Sequence, residues 1–163
     1  RTLMGKEKPF GIINGLGRTT NLHVRAAHHK ADLAISRIED GSGVPEAAAL
    51  PIIGRSAKSN LEGTHTDVGV LLGLSATAHD LAVLKASGIK IIACEVPMAD
   101  ASDLVHWLQT LHQDMAGVLS RLGLDSIDRL QRANLRALDH ETAAIGGLRL
   151  VGYERPLPHW FAR

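Results

Sequence analysis

The stretch Pro9-Phe10-Gly11-Ile12-Ile13-Asn14-Gly15-Leu16-Gly17-Arg18-Thr19-Thr20 decides how the rest of the chain is read. A short apolar run, Pro9 to Asn14, stops at Gly15-Leu16-Gly17 and reads as a buried strand. Thr19, Thr20 or Asn21 then caps a helix from about Leu22 to Lys30. A strand, a glycine turn and a helix start form the opening half of a β-α-β unit. They also place backbone N–H groups and a helix dipole where a phosphate can sit, with Arg18 adding charge. The dinucleotide fingerprint asks for a third glycine at position 20, and Thr20 stands there. The plain alternative is a tight strand-to-helix turn.

Working outward, the pattern repeats. Ala31 to Ile35 is the next strand and runs into Glu39-Asp40-Gly41-Ser42-Gly43, after which Val44-Pro45 opens a helix. Leu50 to Gly54 reads as a third strand, and the polar stretch Arg55 to His65 as a loop. Asp67 to Leu74 fits helix or strand, and Ala76 to Ala86 is a helix stopped by Gly88. Lys90 to Glu95 is the clearest strand. Alternating strands and helices favour parallel pairing, because a parallel strand needs a crossover.

From Ala101 the character changes. Leu104, Trp107, Leu108, Leu111, Met115, Val118, Leu119 and Leu122 recur at three- and four-residue steps. They form one apolar face of a helix about 20 residues and ~30 Å long, with Ser102 as N-cap and Gly123 as its stop. A short helix capped by Asp125 or Ser126 reaches Leu130, and another spans Asn134 to Ile145. Pro156 and Pro158 bar a helix in the tail. The expected fold is a single α/β domain over residues 1–163. A mostly parallel sheet with flanking helices lies within 1–98, and a helical C-terminal section, 99–163, packs on it. A doubly wound sheet is expected over a partial barrel, which would expose apolar strand edges.

Composition bounds the function. The 163 residues are 45% hydrophobic and 21% charged, and Lys plus Arg (18) nearly balance Asp plus Glu (17). Such balance, with no run of like charge, points to no nucleic acid and no membrane surface. The single cysteine, Cys94, precludes an internal disulfide and indicates a reducing, cytoplasmic setting. Within its apolar strand it reads as a buried, inert thiol. The first residue is Arg1 and not Met, which suggests a processed chain or a piece of a longer one.

The candidate ligand site gathers the two glycine turns. In an open α/β sheet, ligands bind beyond the carboxyl ends of the strands. Gly15, Gly17 and Arg18 from the first turn and Gly41, Ser42 and Gly43 from the second would then face one crevice and hold a small phosphate-bearing ligand. The nine histidines close no metal-ligand set by spacing, although His28 and Asp32 share a helix face. Arg55 and Lys58 offer a second, weaker anion site, and a solvated basic loop is the simpler reading. Ser56, Ser59 and Ser75 lack the setting of a nucleophile elbow. The long amphipathic helix points to a homo-oligomer or a partner-bound subunit.

Two patches resemble the FMN-binding domain of glutamate synthases and related barrel flavoenzymes. The first is Ala31-Asp32-Leu33-Ala34-Ile35 followed by Glu39-Asp40-Gly41-Ser42-Gly43-Val44-Pro45, similar to that family's acidic, glycine-rich turn. Gly41, Gly43 and Pro45 match in spacing, and Ser42 replaces Thr. The second runs from Leu119 to Gly152 and is similar to the helical segment after the barrel. The resemblance implies FMN as cofactor and an oxidoreductase passing electrons through it during ammonia transfer to 2-oxoglutarate. It departs in two ways: Cys94 alone cannot supply the family's iron–sulfur ligands, and a whole barrel needs about 250 residues. The competing reading is a non-catalytic regulatory or structural subunit.

Overall fold

The computed structural model describes residues 9–38, 46–73, 75–96 and 100–155, with 46–49 described by backbone alone. Strand β1 (Gly11–Gly15) leads through a 3-10 turn (Leu16–Arg18) into α1 (Thr19–His29). Then follow β2 (Leu33–Arg37), α2 (Glu46–Leu61), β3 (Asp67–Leu71), α3 (Ala78–Ala86) and β4 (Ile91–Ala93). The four strands form one parallel sheet in the order β1-β2-β3-β4. This is the expected α/β fold, a parallel sheet with flanking helices.

The strand order corrects one expectation. A doubly wound sheet reverses its order so that helices cover both faces. Here order follows chain sequence without reversal, and right-handed crossovers then put successive helices on one face. Burial agrees: Ala34, Val68 and Val70 point into a core with Leu22 and Ala26 of α1, Ile53 of α2, and Leu84 of α3. The opposite face carries Gly11, Ile13, Ile35, Gly69 and Ile91, and there Ile13 is 58% and Ile91 39% exposed. The arrangement is an open parallel sheet with its helices on one face.

Three segments differ from their sequence reading. Leu50 to Gly54 lies inside α2, where Leu50, Pro51 and Ile53 are buried. Most of Arg55 to His65 also belongs to α2, which runs on to Leu61. The third strand is instead Asp67–Leu71, fixed at its start by an Asp67 N–H bond to the Asp32 carbonyl at 2.9 Å. The segment Pro51-Ile52-Ile53 has strand-like local preference, yet burial against the sheet outweighs it.

Among the described residues the C-terminal section packs chiefly on helices α2 and α3. Helix α4 (Ala101–Arg121) starts at an Asp100 cap, with Ser102 N–H bonded to Asp100 Oδ1 at 2.7 Å, so Asp100 and not Ser102 is the N-cap. Its far half packs on α3 through Val118, Leu111, Met115 and Leu119. Two 3-10 turns (127–129 and 132–134) lead to β5 (Arg136–Ala137), α5 (His140–Gly146) and β6 (Arg149–Leu150). The expected helix from Asn134 is therefore broken. Asp139 restarts it by accepting the Thr142 N–H at 2.7 Å, and that bond, with the Thr142 side chain, holds the Asp139 carboxyl below its ordinary range. Strands β5 and β6 pair in parallel around α5 as a small unit.

That unit docks on the outer side of α2. Arg132 donates to the carbonyls of Pro51 (3.2 Å), Gly146 and Gly147. Arg55 donates to the Ile145 carbonyl at 2.9 Å. Both cations meet the carbonyl-rich C-terminal end of α5, the end that favours positive charge.

Candidate functional site

At the C-terminal end of β1 the chain does not form a left-handed glycine turn. Gly15 is extended, at φ −64° and ψ 156°, and its N–H is held by the Asn14 side chain at 2.9 Å. Thr19 then anchors the helix start: its hydroxyl donates to the Leu16 carbonyl at 2.8 Å and lies 3.1 Å from the Ser36 hydroxyl of β2. Both Thr19 and Ser36 are buried, so the first turn of α1 is pinned to the neighbouring strand.

Above this anchor lies a pocket of about 250 Å³ lined by Leu16, Gly17, Arg18, Thr19, Thr20, Asn21 and Ile52. Gly17 opens onto it, for a Cβ built there meets nothing within 4 Å. The N-cap of α1 is Arg18, which makes no side-chain cap, and the first turn carries no acidic residue. The Thr19 N–H is taken by the Leu16 carbonyl of the preceding turn. The next N–H groups of an uncapped helix start have no intrahelical partner, and a cation at the positive end of the dipole is unfavourable unless an anion joins it. The expected cap residues Thr19, Thr20 and Asn21 lie inside the helix instead.

The structure thus brings Gly17 and Arg18 to one pocket, with Gly15 just before it. Gly41, Ser42 and Gly43 lie outside the described residues, as do the turn's Glu39 and Asp40 and also Pro45. Their flanks are fixed, however. Strand β2 is β1's parallel neighbour, so the chain leaves both strands at the same end of the sheet. Ile52 of α2, the helix that follows the second turn, lines the pocket wall.

Other candidates have structural employment. Asp32 accepts the Phe10 N–H at 2.8 Å, at the opposite end of the sheet, and His28 stacks edge-on against His29. Among the described residues no group of three or more His, Cys, Asp or Glu is placed to hold a metal ion. Lys58 sits exposed on α2 and not in a loop, while Arg55 is engaged by α5. Cys94 lies one residue beyond β4 and is half-buried, so it is not the buried strand thiol expected.

One pair escaped the sequence reading. His23 of α1 is fully buried, and its Nδ1 lies 2.9 Å from Ser56 Oγ of α2. Its Nε2 is buried with no partner among the described residues, and burial lowers the imidazole pKa. A Ser–His contact resembles a hydrolase pair, but Ser56 too is buried, so no substrate reaches it. It is a helix–helix joint. Residues 33 positions apart carry no local signal of such a contact.

A second, larger depression of about 680 Å³ lies along α4, lined by Leu81, Leu108, Leu111, Met115 and Leu124 among others. The near half of α4 stays bare, with Leu104, Val105 and Leu108 exposed. No helix among the described residues is long and apolar enough to cross a membrane. Comparison with known proteins gives no match to a family model, to a curated protein or to a solved structure.

Proposed function

We propose that this chain is a phosphate-binding α/β domain of oxidoreductase type, which takes FMN or a similar phosphorylated ligand at the C-terminal end of β1. The observation that carries the reading is the uncapped, acid-free start of α1, opening with Arg18 onto a pocket. Gly17 leaves room for close approach, and Gly15 ends the strand beneath it. Gly41, Ser42 and Gly43, between β2 and α2 in sequence, are proposed as further phosphate contacts on their glycine-rich pattern. At about 250 Å³ the pocket is smaller than the roughly 300–1,000 Å³ usual for whole ligands, so it suits a phosphoryl group and leaves the rest of the ligand outside. When bound, FMN supplies the hydride and electron chemistry, and this chain's residues bind and orient it.

A specific observation favours a second reading, a non-catalytic regulatory or structural subunit. Among the described residues the pocket lining holds no carboxylate, histidine, lysine or cysteine. In either case, the lone cysteine fits a cytoplasmic setting, and the bare half of α4 fits a contact with a partner subunit.

Titration of the folded protein with FMN, followed by flavin fluorescence, and with inorganic phosphate by calorimetry tests the reading. Binding of both is expected, weakened by Arg18→Ala and by Gly43→Val, whose β-branched side chain obstructs close backbone approach. Phosphate binding without FMN binding would leave the phosphate site and remove the flavin. Binding of neither at millimolar concentration overturns the proposal.

A further inference from the structure

The sheet face away from the helices offers more than an apolar surface, because among the described residues both edges beside it are unpaired as well. Its central row is Ile13, Ile35, Gly69 and Ile91, in lateral register across all four strands. This row is apolar throughout. Polar groups on the same face stand at the rims: Asp67, bonded to Lys90 at 2.6 Å, at one end and Arg37 at the other. Among the described residues no helix covers the face, and β1 and β4 have a strand neighbour on one side only.

We infer that a second copy of this chain covers the face, the two four-stranded sheets closing into one eight-stranded parallel barrel. Three observations select this occupant. The open edges differ, one being β1 and the other β4, and both need a parallel neighbour. A copy related by a two-fold axis along the barrel sets its β4 beside this β1 and its β1 beside this β4, so two identical seams satisfy both edges together. A single added strand would serve one edge and leave the face bare, and a helix would cover the face and leave both edges. Next, four strands in sequential order from each copy make eight, the number at which a parallel barrel has an interior just filled by side chains. Finally, the face alternates bulk with space: Gly11, Gly69 and Ala93 lie among Ile13, Ile35 and Ile91. Small residues on one copy leave room for isoleucines of the other. The inference stands independently of the phosphate reading.

Light scattering on the full chain across micromolar to millimolar concentration gives the mass, expected at twice 17.4 kDa. Ile13→Asp and Ile91→Lys each put a charge in the closed interior and are expected to weaken association by roughly a hundredfold or more. Both sites are exposed in a single copy, so circular dichroism should show each variant folded. Leu104→Asp, on the bare half of α4, should leave the dimer intact. A crosslink reads the seam directly, in a Gly11→Cys, Ala93→Cys, Cys94→Ser variant, because a barrel shear of about eight residues moves the lateral line through Gly15 and Ala93 by about four residues across each half, to Gly11 of the other copy. Within one chain these edges are three strand spacings apart, about 14 Å, beyond the reach of a disulfide. Oxidation should therefore give a covalent dimer. A monomer at every concentration overturns the inference. So does a dimer that survives Ile13→Asp and Ile91→Lys but is lost on Leu104→Asp, or a failure to crosslink.

Discussion

Gly54 of α2 presses against the carbonyl oxygen of Ser87 so closely that a Cβ built on it would stand 1.9 Å away. The obstacle is backbone at the end of α3, where Ser87 N–H bonds the Val83 carbonyl at 2.9 Å, so it cannot swing aside as a side-chain tip would. Glycine inside a helix ordinarily costs about 1 kcal/mol against alanine. At this position the preference reverses. Gly54→Ala is expected to destabilise the fold by about 1–3 kcal/mol, as overpacking does. Urea unfolding followed by circular dichroism measures it, and an equal or higher midpoint would show that α2 and α3 separate freely.

His23 should make stability depend on pH. Burial holds its imidazole pKa below the ordinary value of 6.5, so between those two values the unfolded chain binds more protons than the folded one. Its contribution is fully present above pH ~6.5 and is lost as pH falls through the window below that, with a slope of at most about 1.4 kcal/mol per pH unit. Stability measured from pH 7.5 to 5 should fall less steeply in His23→Gln than in the parent. Parallel curves would mean that His23 does not titrate with unfolding.

Arg132 holds the β5-α5-β6 unit against α2 by bonding three backbone carbonyls. Truncation to alanine leaves those acceptors with weaker partners and should cost about 2 kcal/mol. Arg132→Lys should recover less than half of that, because an ammonium has no fork to span Pro51 and Gly146. Full recovery by lysine would make the contact one of charge alone.

Thr20→Asp separates ligand binding from stability at the α1 pocket. A carboxylate in the first turn complements the helix dipole, so the folded state should gain about 0.3–1 kcal/mol at low ionic strength. The same carboxylate occupies the anion's place, and phosphate affinity should drop at least about tenfold. Calorimetry and thermal unfolding on one sample read both. Unchanged phosphate affinity would place any anion site away from α1.

Much of the candidate site was legible because it is local. The run from Gly11 to Thr20 carries its own strand, its own turn and its own helix start, and the structure keeps that order. What sequence mistook there was the cap. Threonine and asparagine are favoured N-caps, yet Thr19 is drawn inside by its bond to Leu16 and its contact with Ser36, a residue of another strand. The His23–Ser56 joint was illegible for the same reason, since it exists only once α1 and α2 lie side by side.

Local sequence carries the general alternation of strands and helices, the parallel pairing that alternation favours, and the long amphipathic helix after residue 100. Hydrophobic period, glycine stops and crossover length are properties of neighbouring residues. Tertiary structure alone decided that Pro51-Ile52-Ile53 is helical, because burial of Ile53 in the core and docking of α5 on Pro51 exceed the local preference of β-branched residues for a strand. It alone decided strand order as well. The same alternation is compatible with helices on one face or on both, and the difference lies in which strands pair across tens of residues. That choice leaves Ile13 and Ile91 bare on the open face of the sheet.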